Sequence, residues 1–393
     1  MTYQELKQEE QQYVMNTYGR FSIALDHGEG SKLWDVEGKR YIDLTSGIGV
    51  CSVGYNNQTL IDAITVQAHK LMHVSNLFTT APMVQTAKTL VKATGMGKVF
   101  FSNSGAESNE GAIKLARKYS FDKYGKGRSK IITLWNSFHG RTVTTLNATG
   151  QDKFHNYFFP FTEGFDYAEA GNFEDVKAKA DDSTCAIMME LIQGEGGVLP
   201  LDPAFVKAVE AFCRERDLLL IIDEVQTGIG RTGSLFCFQQ YGIQPDVVTT
   251  AKGIAGGLPM GAVIAAKTCC DVLTPGTHAT TFGGTPTCCA AANAVLGLVN
   301  QPEFLAEVEK KGEYLKNGIL ALDSDKVRGV RGRGLMLGVI VDADARAELV
   351  AKCMEKGLLV LTAGTQAIRL LPPLTITYEE MDEALAIFRQ VLV

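Results

Sequence analysis

The chain has 393 residues, of which 46% are hydrophobic and 21% are charged, a balance typical of a globular protein with a large core. The formal net charge is −6 and no lysine or arginine tract stands out, so the composition gives no support for binding to nucleic acid or to an anionic membrane. Nine cysteines, an odd number without a CxxC motif, predict free thiols. The polar start MTYQELKQEEQQ and the lack of a long apolar run predict a cytoplasmic protein without a membrane span.

Hydrophobic patterns divide the chain into helical and extended segments. Two strands joined by a turn are predicted in SKLWDVEGKRYIDLTSG, with the turn at Glu37-Gly38. The helical patterns cover residues 3–15, 58–71, 82–94, 203–216, 303–320 and a closing helix from Tyr378. Further strands are predicted at 98–101, 131–134, 185–191, 218–222, 246–251, 261–266, 335–341 and 358–361. The pattern predicts one large α/β domain at 51–294, and a smaller domain built from both termini, 1–50 and 295–393.

A helix start is predicted where the strand at 98–101 runs into Asn103-Ser104-Gly105-Ala106-Glu107. Ser104 and Glu107 have capping-box spacing, which by itself marks only where a helix begins. A glycine-containing turn at a helix start also directs free backbone N–H groups and the positive end of the helix dipole at an anion. These residues alone leave both interpretations open.

Charged side chains follow two buried strands at the points where those strands end. The apolar run 218–222 stops at Asp223 and Glu224, and the run 246–251 ends at Lys252. Ligands of open α/β sheets bind outside the carboxyl ends of the strands, so we expect Asp223 and Lys252 to face one crevice. A desolvated lysine can form a Schiff base with an aldehyde, and an ionised carboxylate beside a pyridine nitrogen keeps that ring electron-withdrawing. Taken alone, Asp223 or Lys252 would more often be an ordinary solvent-exposed residue at the end of a strand.

The two segments DEVQTGIGRTG and TTAKGIAGGLPMGA around these residues resemble the cofactor-binding core of the class III, ω-type aminotransferases, which use pyridoxal 5'-phosphate. The likeness extends over nearly the whole chain. It implies fold type I, with a large, mostly parallel seven-stranded sheet, helices on both of its faces and a small α+β domain. It also implies that Lys252 carries the cofactor and that Asp223 faces its ring nitrogen.

Further roles are implied by the motifs that match the family. The Gly105-Ala106 pair would lie on the cofactor phosphate, and Phe138 of FHGRT would stack on the ring. The neighbours of Asp223 would also contact the cofactor: Glu224, Val225 on the opposite ring face, and Gln226 near the ring hydroxyl. His139 has no Cys, His or carboxylate neighbours in the sequence, so we treat it as structural and predict no metal site.

Substrate contacts are implied for four residues. Arg141 would bind a substrate carboxylate and Thr280 would lie at the substrate site, while Glu195 would mask Arg369 until a dicarboxylate binds. Thr281, in a segment similar to the family's STFGGNP, would reach the phosphate in the neighbouring subunit. The resemblance therefore implies a homodimer with shared active sites. Two departures from the family pattern are Leu191, where proline is usual, and Thr285, where asparagine is usual.

Several functions share most of these residues. The segments MNTYGRFSIAL, HATTFGG and LTAGTQAIRLLPPL favour a member that passes the terminal amine of N-acetylornithine to 2-oxoglutarate in arginine biosynthesis. Ornithine, succinylornithine, 4-aminobutyrate and lysine-pathway transaminases, and a semialdehyde aminomutase, stay open as alternatives. A non-catalytic homologue would be expected to lose Lys252. A nucleotide-binding protein would need a P-loop or GxGxxG after its first strand, and neither motif stands at that position here.

Overall fold

A computed structural model describes residues 1–393. The helices are α1 (Tyr3–Tyr13), α2 (Ser46–Gly49), α3 (Gln58–Lys70), α4 (Ala81–Thr94), α5 (Gly105–Tyr124), α6 (Val143–Ala148), α7 (Phe173–Lys179), α8 (Pro203–Glu215), α9 (Phe238–Tyr241), α10 (Pro286–Val299), α11 (Pro302–Leu320), α12 (Arg346–Glu355) and α13 (Tyr378–Leu392). Single 3₁₀ turns lie at Asp152–Phe154 and Lys252–Ala255.

The strands are β1 (Leu25–Glu29), β2 (Lys32–Asp35), β3 (Arg40–Asp43), β4 (Lys98–Ser102), β5 (Lys130–Leu134), β6 (Phe165–Ala168), β7 (Thr184–Met189), β8 (Ile192–Gln193), β9 (Leu199–Pro200), β10 (Leu219–Asp223), β11 (Val247–Thr250), β12 (Gly261–Ala265), β13 (Gly329–Arg333), β14 (Met336–Ile340), β15 (Leu358–Leu359), β16 (Leu361–Ala363) and β17 (Ala367–Leu370).

Seven strands form the central sheet in the order β4-β12-β11-β10-β7-β5-β6. The pairs from β11 to β6 are all parallel, and only β12 runs antiparallel to its two neighbours. The expected large, mostly parallel seven-stranded sheet is therefore confirmed. Because the strands β10 and β11 are adjacent and parallel, their carboxyl ends meet at one edge of the sheet.

Both faces of this sheet are buried, which explains why its strands are apolar throughout rather than alternating. Alternate residues of β10 enter two separate apolar clusters: Leu220 and Ile222 join the larger one, and Leu219 and Ile221 join the smaller one. Helix α5 covers the smaller cluster, and α8 belongs to the larger. Helices therefore cover both faces, as expected.

The two ends of the chain are joined by β-pairing. Strand β3 near the start pairs in parallel with β15 near the end, and a second sheet in the order β13-β14-β17-β16 lies within the C-terminal part. The expected boundary after residue 294 falls inside the continuous helix α10, which packs on α3 and α4. We therefore propose that the C-terminal part begins where α10 ends, at Asn300.

Most predicted elements are present within one or two residues of their expected bounds. The strand expected at 185–191 ends at Met189, so that Glu190 and Leu191 belong to a loop. Several elements were not predicted, among them strands β6 and β13 and helices α7, α10 and α12. None of the helices combines the length and the apolar composition needed to cross a bilayer.

Candidate active site

A cavity of about 400 Å³ lies at the carboxyl-terminal edge of the central sheet. The end of β10, the turn after β11, the start of α5 and the loop after β5 form its walls. Ligands of open α/β sheets bind at this position. Eight of the predicted site residues line the cavity: Gly105, Ala106, Phe138, Arg141, Asp223, Val225, Gln226 and Lys252.

Asp223 is the buried carboxylate of the site, with a relative exposure of 3%. Its Oδ2 lies 2.7 Å from the donating Nδ2 of Asn109 and 2.8 Å from Nδ1 of His139. Its Oδ1 accepts from the backbone N–H of Val225 at 3.0 Å. The Asn109 amide is itself oriented, because its Oδ1 accepts from the Thr249 hydroxyl at 2.7 Å. The carboxylate is thus held rigidly toward the cavity.

His139, which we treated as structural, lies against Asp223 and helps to hold its carboxylate. Its Nδ1 faces the carboxylate and its Nε2 is buried without a protein partner. Asn109 was missed for a different reason. It lies one helical turn after Gly105 in α5, so helical periodicity places both on one side of the helix, and that signal could have identified it. No set of three potential metal-ligating side chains clusters anywhere in the structure.

Lys252 follows β11 in a strained backbone conformation. Its φ of 42° lies in the left-handed region, which is costly for a side chain other than glycine and which concentrates at functional sites. Burial lowers the pKa of the Lys252 amine, although the nearby Glu195 carboxylate opposes this effect. A larger share of this lysine is therefore neutral, and thus nucleophilic, than of a solvated one.

The start of α5 forms one wall of the cavity. Ser104 is the N-cap and accepts from the Glu107 N–H at 3.2 Å, while the Glu107 carboxylate accepts from the Asn103 N–H instead of completing the capping box. A Cβ on Gly105 would lie 2.7 Å from Cγ1 of Val225, so only glycine fits there without displacing this side chain. The first N–H groups of the helix are available to an anion in the cavity.

Phe138 and Arg141 lie on the loop after β5. The Phe138 ring is half-buried and meets the ring of Phe154 edge-on, with centroids 5.9 Å apart. The Arg141 guanidinium lies 4.2 Å from the Phe154 centroid. Phe154, which the sequence did not point to, therefore supports both side chains through aromatic and cation–π contacts.

Glu195 and Arg369 form an ion pair beside the cavity. Nη1 of Arg369 lies 2.5 Å from Oε1 of Glu195 and also donates to Oε1 of Gln226 at 3.2 Å. Burial is the largest single effect on the pKa of Glu195 and raises it, but the charge and hydrogen bond of Arg369, the charge of Lys252 and a hydrogen bond from Gln226 together outweigh burial, so the pKa is lowered overall. The arginine side chain is 2% exposed and the glutamate side chain 31% exposed, so the glutamate is the partner with room to move.

Glu224 does not face the cavity, contrary to the expectation that it contacts a cofactor. Its carboxylate is fully buried and accepts from the Thr227 hydroxyl at 2.5 Å, from Cys237 N–H at 3.0 Å and from Phe238 N–H at 2.7 Å. The side chains of successive residues in an extended chain point in opposite directions. The Glu224 side chain therefore points away from the cavity, whereas the Asp223 side chain points into it. Its side chain organises the loop between β10 and α9.

Thr280 and Thr281 lie outside the cavity of their own chain. The Thr280 hydroxyl accepts from the Asn103 side chain at 3.0 Å, which places it beside the wall formed by the start of α5. Thr281 is exposed. Neither is brought into contact with Lys252 or Asp223 within one chain.

The residues present fit a pyridine ring that carries an aldehyde and a phosphate. An amine with a lowered pKa, an oriented carboxylate, an aromatic side chain and a helix start with a closely packed glycine line one cavity. Those groups match in turn the aldehyde, the ring nitrogen, the ring face and the phosphate.

Comparison with known proteins agrees with this chemistry. The family described as aminotransferase class-III matches residues 13–392, so the chain belongs to the class III aminotransferases. It is a transaminase that uses pyridoxal 5'-phosphate.

Among its relatives, the acetylornithine aminotransferases of Haemophilus ducreyi and Caldanaerobacter subterraneus are each 50% identical to it. The first alignment covers 100% of this chain and 99% of the relative, and the second covers 98% of each. The crystal structure of Toxoplasma gondii ornithine aminotransferase matches at a TM-score of 0.95 and 31% identity, over 100% of this chain and 95% of that one. The crystal structure of N-acetylornithine aminotransferase from Stenotrophomonas maltophilia matches at a TM-score of 0.85 and 35% identity. This match covers 98% of this chain and 97% of that one.

Proposed function

We propose that this transaminase passes the terminal amino group of N2-acetyl-L-ornithine to 2-oxoglutarate, giving N-acetylglutamate 5-semialdehyde and L-glutamate in arginine biosynthesis. The observation that carries the proposal is the 50% identity, over nearly the full length of both chains, to two relatives named acetylornithine aminotransferase. The ion pair of Glu195 and Arg369 beside the cavity suits an enzyme whose amino donor and oxo-acid acceptor differ in shape and charge.

Two residues, Lys252 and Asp223, act directly on the cofactor or the substrate in this proposal. Bound pyridoxal phosphate supplies an aldehyde and an electron-withdrawing ring. The Lys252 amine attaches the cofactor and later moves a proton at the substrate carbon, which suits an amine whose pKa is lowered by burial. Asp223 keeps the ring nitrogen protonated, and Asn109 and His139 hold this carboxylate in place.

Arg141 and Arg369 divide the substrate carboxylates between them. We propose that Arg141 binds the carboxylate of the amine donor while Glu195 neutralises Arg369. When 2-oxoglutarate binds, its α-carboxylate takes the place of Glu195 on Arg369. The 2.5 Å contact between Glu195 and Arg369 and the greater exposure of the glutamate support this exchange.

Ornithine is the second candidate donor, since the structure of an ornithine aminotransferase matches at a TM-score of 0.95. A panel of amino donors with 2-oxoglutarate as the acceptor separates the candidates. We expect the highest kcat/KM with N-acetylornithine, because ornithine adds a charged α-amine that needs its own partner in the site. A higher value for ornithine, succinylornithine, 4-aminobutyrate or a lysine-pathway amine would reassign the substrate. Intramolecular amine transfer without an acceptor would indicate an aminomutase.

A homodimer with shared sites is also proposed, in the cytoplasm. Large apolar side chains are exposed beside Thr281: Leu77 is 88% exposed, Phe78 64% and Phe282 61%. The two segments that carry them are joined by a 2.7 Å hydrogen bond from Asn76 to the Gly283 carbonyl. A surface of this kind suits a subunit interface from which Thr281 reaches the partner's cofactor phosphate. The nine unpaired thiols suit a reducing compartment.

A further inference from the structure

Glu190 is a second buried carboxylate in the wall of the active-site cavity. It follows β7, the neighbour of β10 in the sheet, and is 5% exposed. Burying a carboxylate is costly unless the charged oxygens are hydrogen-bonded. The contacts that satisfy this one therefore indicate what the residue does.

The two oxygens of Glu190 accept from two different loops. Oε1 accepts from the backbone N–H of Phe138 at 2.8 Å, and Oε2 accepts from the N–H of Gly194 at 3.1 Å. The first donor belongs to the residue expected to stack on the cofactor ring. The second donor directly precedes Glu195, the partner of Arg369. One side chain thus ties the ring-stacking loop to the loop of the ion pair.

The two loops also touch each other directly and have little space to slide. The Gln193 side chain donates to the Trp135 carbonyl at 2.8 Å. A Cβ on Gly196 would lie 2.6 Å from the Asn136 carbonyl oxygen, so the backbones of the two loops are in close contact. A displacement of one loop is therefore transmitted to the other.

We propose that Glu190 is a positioning residue that holds Phe138 and Glu195 in a fixed relation and so sets the relative rates of the two half-reactions. The proposal rests on the proposed exchange of Glu195 and substrate on Arg369. Two acceptor oxygens are needed at once, and only an ionised carboxylate supplies both. An amide in its place turns an N–H toward one of the two donors and breaks one tie.

The charge around Glu190 supports this role. Burial raises the pKa of the carboxyl, Asp223 raises it further, and His139 opposes the rise. Lys252 is the remaining charged group that interacts with it. Protonation of the Glu190 carboxylate removes one acceptor oxygen, as the amide of Glu190→Gln does. The ratio of the rates of the two half-reactions in the wild type should therefore depend on pH around neutrality. It should lose that dependence in Glu190→Gln.

The variant Glu190→Gln has a matched control in Glu224→Gln. Glu224 is also buried and also accepts from two backbone N–H groups, but both belong to the loop around Cys237 and Phe238, away from the cavity. Single-turnover rates are measured for N-acetylornithine and for 2-oxoglutarate. We expect Glu190→Gln to change their ratio about tenfold, the factor for one hydrogen bond of ordinary strength. Glu224→Gln should lower the melting temperature and leave the ratio unchanged.

A second readout does not depend on activity. Trp135 lies on the tethered loop and is one of two tryptophans. In a Trp34→Phe background its fluorescence reports the loop position in the full chain, before and after pyridoxal phosphate is added. We expect Glu190→Gln, but not Glu224→Gln, to shift the emission. Equal slowing of both half-reactions with unchanged emission would overturn the proposal.

A second variant and a substitute donor keep the proposal testable if the first experiment fails. If Glu190→Gln does not fold, Glu190→Asp is measured, which keeps the charge but is too short to reach both donors. It should move the ratio in the same direction, and an unchanged ratio again overturns the proposal. If the wild type does not accept N-acetylornithine, the proposed substrate fails on its own, and the best donor of the panel replaces it in both variants.

Discussion

At the scale of single residues, Lys252 carries most of the chemistry. The change Lys252→Ala should reduce turnover roughly 10³-fold or more, because attachment of the cofactor and proton transfer are lost together. The protein should still fold. Borohydride treatment followed by mass spectrometry measures the covalent bond to the cofactor, which should be absent. The control is Lys311→Ala, which removes a half-buried lysine outside the cavity. A reducible bond that persists in Lys252→Ala would assign the attachment to another amine.

The pair of Glu195 and Arg369 gives a prediction about selectivity. In Glu195→Ala the arginine is permanently open, so the half-reaction with N-acetylornithine should slow, by about tenfold if one charged contact decides it. Glutamate should become a better donor, because its α-carboxylate can pair with Arg369 without first displacing Glu195. Rapid-mixing absorbance resolves the two half-reactions. If both slow by the same factor, Glu195 only supports its loop.

At the scale of elements, the start of α5 depends on a close contact with the end of β10. In Gly105→Ala the new Cβ meets Val225 at 2.7 Å, which should cost about 1–3 kcal/mol of stability and weaken cofactor binding. Denaturation and titration with pyridoxal phosphate measure the two effects. Gly297→Ala in α10 is the control, because its Cβ meets nothing within 4 Å and alanine favours a helix by roughly 0.5–1 kcal/mol. Unchanged cofactor affinity in Gly105→Ala would mean that the phosphate lies elsewhere.

The loop after β10 gives a prediction about pH. Burial raises the pKa of Glu224 from 4.5 to about 7. Between these values the folded protein keeps a proton that the unfolded chain has released, so stability should fall as the pH rises from 4.5 to 7. A pKa difference of roughly 2.5 corresponds to up to about 3 kcal/mol. Denaturant unfolding at pH 5 and pH 8 should show a smaller decrease in Glu224→Gln, and identical decreases would contradict the buried ionisation.

At the scale of the whole molecule, shared sites can be tested by mixing two defective chains. One chain carries Lys252→Ala and the other Thr281→Ala, a change that should weaken cofactor binding. If Thr281 acts on the partner's site, the heterodimer contains one fully intact site, and co-expressed, doubly tagged dimers should be far more active than either parent. If Thr281 acts within its own chain, both sites of the heterodimer are defective and no activity is regained.

Most of the longer elements, and the positions of Asp223 and Lys252 at strand ends, were predictable from local sequence. Apolar runs that end at Asp223 and at Lys252 define strands and their carboxyl ends, and adjacent parallel strands bring such ends together. The motif resemblance supplied Phe138, Gly105 and Arg141, which all line the cavity. These features depend on residues close together in the chain, or on a fold that the family shares.

The tertiary structure alone decided the contacts between distant segments. The pairing of β3 with β15, the hydrogen bonds from Asn109 and His139 to Asp223, and the tie from Glu190 to two loops join residues far apart in sequence. The sequence does not distinguish Glu224 from its neighbour Asp223, which has the same charge, and only the fold shows that the Glu224 side chain lies against Cys237 and Phe238. Periodicity predicts which residues are buried, whereas the partner of a buried charge depends on which loops the fold brings to it.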